Sequence, residues 1–392
     1  MFADRTAWAL GENALTRRRA ALAAAGVRLL DLTESNPTRC GITYPPELWP
    51  VLADPTVAVY EPSPLGLPAA RQAVARIYAG KGVAVDPSRV ALTASTSEAY
   101  SFLFRLLANP GDEILVPRPS YPLFDYLAAL HDLRPVPYPL RYDGHWRVDL
   151  DALAAAVTPK TRVVIVVHPN NPTGSCLTAD EWARVAQVCA DRGVAVIADE
   201  VFAEYVEDAA APRTLAGAGT GPLLFALGGL SKWMGLPQMK LGWMAVSGPA
   251  SLVEPALARL EIIADTFLSV NTPVQRALPR WLALAPTIQQ QIRRRIADHR
   301  RCLRGLTHGS DPFEVLAADG GWSAVLRVPG VADDEQLMLD LLERAHVVVY
   351  PGYFYEFDEP GVLVVSLLAA PSVFHEGLAR LREALEKRET PC

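Results

Sequence analysis

Short apolar runs alternate with mixed polar and apolar segments through the middle of the chain. The runs are rich in Val, Ile and Leu, which is typical of strands buried on both faces of a sheet. They predict strands at 89–95, 113–117, 162–169, 193–199, 223–228 and 241–246. The mixed segments predict helices at 97–108 and 178–192, and Thr178, followed by acidic residues, is the N-cap candidate of the second. Strands that alternate with helices predict an α/β fold with a mostly parallel sheet.

The C-terminal third has a different pattern. It starts with an arginine-rich segment at 285–304 that predicts a helix. The predicted elements that follow are "GWSAVLRVP", a helix near 333–345, "HVVVYPG", "VLVVSLL" and a helix at 373–388. They predict a second, smaller α+β unit, and the first 45 residues, too few to fold alone, are expected to pack on it. We therefore predict a large domain at 46–272 and a small domain built from 1–45 and 273–392.

Composition and charge exclude several classes of protein. The 392 residues suffice for roughly two or three domains, and half of them are hydrophobic, which allows a large core. The net charge of −6 gives no reason to expect nucleic acid or an anionic membrane as a partner. No apolar segment reaches the roughly 18 residues of a membrane-spanning helix, and the first residues do not resemble a secretory signal.

Cysteine and histidine show no pattern of their own. The five cysteines are odd in number and form no CxxC pair, and they are Cys40, Cys176, Cys189, Cys302 and Cys392. The seven histidines show no metal-ligand spacing. We therefore expect no metal site, no disulfide framework and a cytoplasmic protein.

Polar side chains follow five of the predicted strands at the points where these strands end. The segments are "STSEAY", "RPSYP", "PNNPTG", "DEVF" and "GLSK". Because ligands bind at the carboxyl ends of the strands in an open α/β sheet, the five segments can converge on one site. Such a site would hold an anion cradle at a helix N-terminus, an aromatic ring, an amide, a carboxylate and a lysine.

That set of groups suits pyridoxal phosphate. The cofactor needs a lysine that forms a Schiff base and an acid that keeps its pyridine nitrogen protonated, so that the ring acts as an electron sink. It also needs a phosphate site, a flat surface against the ring and a donor to the ring oxygen. A dehydrogenase is not expected, because no G-x-G-x-x-G follows a strand.

From about residue 30 to the C-terminus the chain resembles the class I/II aminotransferases of the aspartate aminotransferase superfamily, fold type I. The resemblance rests, in family order, on "YEPSPLGLPAAR", "TASTSEAY", "NPGDEILVPRPSYPLF", "HPNNPTG", "ADEVF", "SKWMGLPQMKLGW" and "VVYPG". NPTG, then DE about 28 residues later, then SK about 33 further on, is far more specific than NPTG alone. The resemblance implies a large domain that binds pyridoxal phosphate on a mostly parallel sheet with helices on both faces, and a smaller α+β domain.

The resemblance assigns the roles around the cofactor ring. Lys232 matches the Schiff-base lysine, which also moves the proton between Cα and the cofactor. Partial burial beside a cationic ring should lower the pKa of this lysine. Asp199 matches the partner of the pyridine nitrogen, Asn171 the donor to the ring oxygen, and Tyr121 the aromatic that stacks on the ring.

The resemblance also assigns the phosphate site. Thr96 and Ser97 match the cradle that opens a helix, and Ser231 stands where the residue before the lysine often touches the phosphate. Lys240 stands where the family usually has a phosphate-binding arginine. Tyr60 matches a tyrosine that reaches the phosphate of the neighbouring subunit, which implies a homodimer with shared sites.

Each of these residues has an ordinary structural explanation when it is taken alone. Asp199 could cap a helix, Asn171 could form a turn, and Tyr121 could be a core aromatic. Ser97 could be a plain N-cap, and Lys240 could extend its ammonium group to solvent. Their joint order and their positions at strand ends favour the cofactor site.

Two departures from the family concern the cofactor. Phe202 replaces a tyrosine that commonly donates to the ring oxygen, and the nearby Tyr205 has a different spacing. If nothing replaces this donor, the pKa of the Schiff base should rise. Lys240 keeps the charge of arginine without its bidentate geometry, and Gly229 stands where a phosphate-binding serine is common.

A third departure concerns the substrate. The family holds the substrate α-carboxylate with an arginine in a C-terminal strand, and aligning "VLVVSLL" puts Val364 there. Valine cannot pair with a carboxylate. Either another arginine does so, with Arg39 as the candidate and Arg118 and Arg327 as further ones, or the substrate is not an ordinary α-amino acid.

The leading hypothesis is an aminotransferase that moves an amino group between an amino acid and a 2-oxo acid through a Schiff base on Lys232. The alternative is a lyase, decarboxylase or synthase that uses the same cofactor, as Val364 and Phe202 suggest. The effector domain of a transcription regulator is not expected, because about 30 residues before the matched region leave no room for a winged helix. The expected partners are small amino acid and oxo acid substrates and a second copy of the chain.

Overall fold

The computed structural model describes residues 1–8, 10–217, 220–268, 270–305 and 312–388. Cys392 and the last residues of the predicted small domain lie outside the described residues. The helices are α1 (Ala14–Ala24), α2 (Pro68–Gly80), α3 (Thr96–Leu107), α4 (Leu123–Leu130), α5 (Leu150–Ala156), α6 (Ala179–Arg192), α7 (Leu230–Trp233), α8 (Ala250–Phe267), α9 (Thr272–Trp281), α10 (Ala285–Arg304), α11 (Asp334–Asp340) and α12 (Pro371–Glu386). The strands are β1 (Leu30–Asp31), β2 (Val90–Thr93), β3 (Glu113–Arg118), β4 (Arg134–Tyr142), β5 (Trp146–Val148), β6 (Thr161–Val167), β7 (Ala195–Asp199), β8 (Leu224–Gly229), β9 (Gly242–Ser247), β10 (Glu314–Val315), β11 (Ser323–Arg327), β12 (Val347–Val348), β13 (Tyr350–Pro351) and β14 (Val362–Ser366).

The largest sheet has the strand order β2-β9-β8-β7-β6-β3-β4-β5. Its five inner strands, from β8 to β4, are parallel to one another. The pairs β8–β9, β2–β9 and β4–β5 are antiparallel. The sheet is therefore mostly parallel, as the alternation of strands and helices predicts.

Helices cover both faces of this sheet. Successive residues of a strand point to opposite faces, so each inner strand packs against helices on both sides. On β6, Val163 and Ile165 pack in one core cluster with side chains of α3, α4 and α8. Val164 and Val166 pack in another cluster with side chains of α5 and α6. Burial on both faces explains why the inner strands read as continuous apolar runs.

The remaining strands form a smaller unit. β10, β11, β14 and β13 make a second sheet, and β1 pairs in parallel with β12. The pair β1–β12 joins the N-terminal segment to the C-terminal part of the chain, as expected for residues too few to fold alone. The domain boundaries at 46 and 272 stay a prediction.

The sequence-predicted strands and helices of the middle are confirmed, with ends that differ by at most two residues. The predicted helix near 333–345 is α11 followed by a π-helical turn at Leu341–Ala345. The predicted helix at 285–304 matches α10. The helices α1, α2, α4, α5, α8 and α9 carried no prediction.

β4 also carried no prediction, because "RPVPYPLRY" holds three prolines and proline cannot donate a ladder hydrogen bond. The three prolines stand at every second residue of β4, so the missing N–H donors all lie on one edge of the strand. β5 pairs with Leu140–Tyr142 alone, beyond the prolines, while β3 pairs along Arg134–Pro139 on the other side. The side that lacks donors therefore faces no strand.

The described residues hold neither a membrane-spanning helix nor a cluster of metal ligands. No described helix combines the length and apolar composition needed to cross a membrane. No group of three or more His, Cys, Asp or Glu among these residues is placed to hold a metal ion. Among the described residues, four cysteines are unpaired thiols, and they are Cys40, Cys176, Cys189 and Cys302.

Replacing Thr178 with alanine is expected to lower the free energy of unfolding by about 1 kcal/mol. Thr178 is the N-cap of α6 and forms a capping box, in which its hydroxyl accepts from the N–H of Glu181 and the Glu181 carboxylate accepts from the N–H of Thr178. Urea unfolding measures the loss. Ser251→Ala, at an exposed position in the first turn of α8, should change little, and an equal loss in both variants would contradict the capping role.

Candidate active site

A cavity of about 510 Å³ lies where the carboxyl ends of the central strands face the smaller unit. The segments after β2, β3, β6, β7 and β8 all contribute to it. β11, β13 and β14 line the opposite side, and Thr33 and Ser35 come from the N-terminal segment. The predicted site residues that line this cavity are Thr96, Ser97, Tyr121, Asn171, Asp199, Ser231 and Lys232. Five strand ends thus meet at one place, as the topology of an open α/β sheet favours.

Lys232 projects into the cavity from α7, a turn of only four residues. Its ammonium nitrogen lies 4.8 Å from the ring centre of Trp322 and 5.5 Å from that of Phe202. Burial lowers the pKa of Lys232 from 10.5 to about 8, although Cys40 and Asp199 act in the opposite direction. A lysine in this environment loses its proton more readily than an exposed one, which suits a nucleophile and a base.

The turn that carries Lys232 is held by three side chains from distant segments. The last carbonyls of a short helix have no partner inside the helix and need donors from elsewhere. Tyr205 donates its hydroxyl to the carbonyl of Lys232 at 2.9 Å. Gln289 of α10 donates to the carbonyl of Trp233 at 2.9 Å, and Tyr44 donates to that of Gly235 at 2.6 Å. These bonds fix the backbone from which Lys232 extends.

Asp199 ends β7 inside the cavity. Its carboxylate accepts a hydrogen bond from the hydroxyl of Tyr100 at 3.0 Å and another from the N–H of Val201 at 3.2 Å. Burial raises the pKa of Asp199 to about 6, and these two hydrogen bonds only partly offset that rise. A cation placed against this carboxylate would lower its pKa again.

The N-terminus of α3, which the sequence predicts to be an anion cradle, lies at the cavity. Ser95 is the N-cap, because its hydroxyl accepts from the N–H of Glu98 at 3.1 Å. Ser97 is therefore not the plain N-cap that it could have been from sequence alone. Thr96 and Ser97 occupy the first helical turn and line the cavity with hydroxyl groups beside the positive end of the helix dipole.

Asn171 and Tyr121 lie on loops at the mouth of the cavity. The hydroxyl of Ser323 donates to the side-chain oxygen of Asn171 at 3.3 Å, which leaves the amide N–H groups of Asn171 to donate. Tyr121 follows β3, and its side chain is about half exposed on the cavity. An exposed ring at this place is not the core aromatic that Tyr121 could have been.

Two glycines explain one departure from the family pattern. Gly229, at the end of β8, pairs with Gly242, at the start of β9. A Cβ on Gly229 would lie 3.3 Å from the Cα of Gly242. A Cβ on Gly242 would lie 3.0 Å from the carbonyl carbon of Ser95 and 3.2 Å from the nitrogen of Thr96. The close approach brings the Lys232 turn against the anion cradle, and a serine at 229 would need its neighbours to move.

Lys240, Tyr60 and Arg39 do not line the cavity. Lys240 is exposed and lies two residues before Gly242, which packs against the backbone of Ser95 and Thr96. Tyr60 is 67 % exposed, and its role at a neighbouring subunit stays a prediction. Arg39 is exposed, and its role with a substrate stays a prediction.

The other candidate arginines are held elsewhere. Arg118 pairs with Glu356 at 2.8 Å, and Arg327 pairs with Glu314 at 3.4 Å. Val364 lines the cavity on β14 and is almost fully buried. Among the described residues, no arginine lines this cavity.

Sequence reasoning missed three residues of the site. Tyr100 lies one helical turn after Thr96, so the spacing of a helix could have indicated it. Tyr205 acts on the backbone of Lys232, and Trp322 packs on Phe202 and Tyr205 with ring centres 5.5 and 5.1 Å apart. No local pattern links Trp322 to a strand end of the large sheet.

Known aminotransferases resemble this chain over between about half and nearly all of its length. The glutamate-pyruvate aminotransferase AlaA of Haemophilus influenzae is 26 % identical over 369 residues, which cover 92 % of this chain and 91 % of its own. Nicotianamine aminotransferase A of Hordeum vulgare is 34 % identical over 224 residues, which cover 56 % of this chain and 48 % of its own.

Solved structures share the fold. The alanine aminotransferase of Pyrococcus furiosus superposes with a TM-score of 0.89 at 22 % identity and covers 99 % of this chain and 100 % of its own. An aminotransferase of Escherichia coli superposes with a TM-score of 0.87 at 24 % identity and covers 98 % of both chains. The model of the family "Aminotransferase class I and II" matches residues 29–384. The site geometry and this match lead to one conclusion, that the chain belongs to the class I and II aminotransferases.

Proposed function

We propose that the cavity at Lys232 is the place where this chain transfers an amino group between an amino acid and a 2-oxo acid, with pyridoxal phosphate as the cofactor. The observation that carries the proposal is the pair of half-buried charged side chains, Lys232 and Asp199, in one cavity that also holds a helix N-terminus. The family is dependent on pyridoxal phosphate, and its chemistry needs these three features.

The residues of the cavity fit pyridoxal phosphate. Asp199 is a buried carboxylate with a raised pKa, which a protonated ring nitrogen would complement. Lys232 is a buried amine with a lowered pKa, which suits attack on an aldehyde. Thr96 and Ser97 supply hydroxyl groups at a helix N-terminus, where a phosphate is favoured.

When bound, pyridoxal phosphate draws electrons from the Cα of the amino acid and so makes its proton removable. Lys232 is the group that removes and returns this proton, because its pKa of about 8 lies near the pH at which such enzymes work. Tyr205 and Gln289 fix the backbone of the turn, so that the amine returns to the same position. Tyr100 orients Asp199 toward the cavity through its hydroxyl.

The remaining contacts to the cofactor are proposed from where each residue lies, in the cavity or along the chain. Asn171 is the donor to the ring oxygen, and Tyr121 is the aromatic against the ring. Ser231 and Lys240 complete the phosphate site with Thr96 and Ser97. Lys240 acts there as a point charge, since lysine lacks the planar fork of arginine.

We also propose a homodimer in which Tyr60 reaches the phosphate of the neighbouring site. The support is the exposure of Tyr60 and of several large apolar side chains, among them Ile262, Phe267 and Leu268. Exposed apolar groups of this size are common at interfaces between subunits. A cytoplasmic location agrees with the four unpaired thiols.

The substrate pair is open to a direct test. The AlaA relatives are glutamate-pyruvate aminotransferases, so L-glutamate and pyruvate are the first pair to test.

Lys232→Ala is expected to abolish the visible absorbance of the lysine-bound cofactor and to reduce turnover by several orders of magnitude, since the nucleophile and the proton carrier are both lost. Lys160→Ala, at an exposed lysine, is the control. Release of pyruvate and ammonia from a β-substituted amino acid, without an oxo acid acceptor, would instead favour a lyase.

Asp199→Asn is expected to stabilise the cofactor-free protein at neutral pH. Because the pKa of Asp199 is raised to about 6, the folded state binds the proton more tightly than the unfolded state, and stability falls as pH rises through this range. The gain should be about 3 kcal/mol at pH 7 and about half of that at pH 5. Urea unfolding of both cofactor-free proteins measures it.

The same substitution should weaken cofactor binding, because the ring nitrogen loses its charged partner. Asp143→Asn, at an exposed acid, should change neither property. If Asp199→Asn fails to stabilise the cofactor-free protein at pH 7, the ionised Asp199 does not destabilise the fold. The argument that this carboxylate needs a cationic ligand is then wrong.

Mixing inactive chains should restore activity if the sites are shared. A dimer of one Lys232→Ala chain and one Tyr60→Ala chain has one site with both residues intact, and an equal mixture should regain about a quarter of wild-type activity. The assay is run at limiting cofactor after the subunits exchange. Lys232→Ala mixed with Asp199→Ala should regain none, because both residues line the cavity of the same chain. No recovery in the first mixture would refute the role of Tyr60.

A further inference from the structure

The cavity offers the substrate little positive charge. The charged side chains among the described residues that line it are Lys232 and Asp199, and the proposed function assigns both to the cofactor. An amino acid and a 2-oxo acid each carry a carboxylate, and a carboxylate leaves water only where donors replace its hydration. Val364 is apolar, so these donors must be neutral groups or lie beyond the cavity.

Trp322 has a donor that the protein itself does not use. Its side chain is 3 % exposed and lines the cavity. The indole N–H finds no hydrogen-bond partner among the described residues. A buried N–H without a partner is costly and rare, so a ligand that accepts this bond would account for it.

The indole is fixed beside the reacting position. The carbonyl of Trp322 accepts from the N–H of Leu367 at 2.7 Å, and Phe202 and Tyr205 pack against the ring. The ammonium nitrogen of Lys232 lies 4.8 Å from the ring centre. In the reaction the amino nitrogen of the substrate takes the place of this nitrogen. The carboxylate carbon is only two bonds from the amino nitrogen, so it falls within the neighbourhood of the indole.

Two other neutral groups lie next to Trp322. Ser323 follows it in the chain, and its hydroxyl holds the side-chain oxygen of Asn171 at 3.3 Å. The amide N–H groups of Asn171 are then directed away from Ser323 and can donate to a ligand. Several donors together can hold a carboxylate without a cation.

We propose that Trp322 is a substrate-binding residue whose indole N–H, beside Ser323 and Asn171, receives the carboxylate shared by the amino acid and the 2-oxo acid. The inference rests on the proposed function, since it places the substrate at Lys232. It implies that the enzyme recognises this carboxylate through neutral donors.

Two small reagents test this without knowledge of the natural substrate. Aminooxyacetate and O-methylhydroxylamine both condense with the cofactor and release Lys232, but only the first carries a carboxylate. The loss of the visible absorbance of the holoenzyme gives a rate for each reagent. Wild type is expected to react faster with aminooxyacetate, and Trp322→Phe, which keeps the ring and loses the N–H, should lower the ratio of the two rates about 10-fold.

Trp146→Phe is the matched control. The N–H of Trp146 is also buried without a partner among the described residues, but it lies beside a separate cavity of about 10 Å³. Its loss should leave the ratio unchanged. Ser323→Ala should lower the ratio about threefold, and it serves as the second variant if Trp322→Phe does not retain the cofactor.

Three results would overturn the proposal. One is an unchanged ratio in Trp322→Phe, or in Ser323→Ala where that variant replaces it. The second is an equal slowing of both reagents, which marks a packing role alone. The third is a fall of the ratio in Arg19→Gln with none in Trp322→Phe. Arg19 lines a depression next to Lys232 and pairs there with Asp31 at 2.6 Å, so that result would place the carboxylate in the depression. A wild-type protein that reacts with neither reagent refutes the proposed function itself.

Discussion

The structure depends on keeping one amine and one carboxylate, each partly removed from water, in the same cavity. Burial disfavours the charged form of each group, so it lowers the pKa of Lys232 and raises that of Asp199. Neither shift helps the protein to fold. Both prepare the groups for a ligand that has an electrophilic carbon at one end and a cationic nitrogen at the other, and the surrounding fold has to hold them in position.

That fold combines a large sheet with a short turn whose last carbonyls find no hydrogen-bond donor within the turn. α7 has four residues, and two of its carbonyls take donors from Tyr205 and Gln289. Tyr44 donates to the carbonyl of Gly235 just after the turn, and the three donors lie far apart in the sequence. The paired glycines Gly229 and Gly242 let the turn approach the N-terminus of α3. The Lys232 turn and the N-terminus of α3 are thus held together by close backbone packing.

Much of this could be predicted from the sequence because it follows from local rules. Continuous apolar runs indicated the inner strands, and strand ends with polar residues indicated Lys232, Asp199 and Asn171. The strand β4 was missed because its prolines contradict strand propensity, and only the position of β5 shows that the proline side is unpaired. Gln289 and Trp322 were missed for another reason, since each reaches the site through contacts between distant segments that no local pattern encodes.

The parallel pair β1–β12 sets the order in which the enzyme can be completed. Leu30 pairs with Val347, so an N-terminal strand waits for a partner about 300 residues later. At roughly 5–20 residues per second, a ribosome needs about 15–60 s to supply it. During that interval the segment with Thr33 and Ser35 has no strand to join, although these residues line the finished cavity. The nascent chain can therefore assemble its large sheet early, but the cavity gains the wall that holds Thr33 and Ser35 only after Val347 and Val348 have been made.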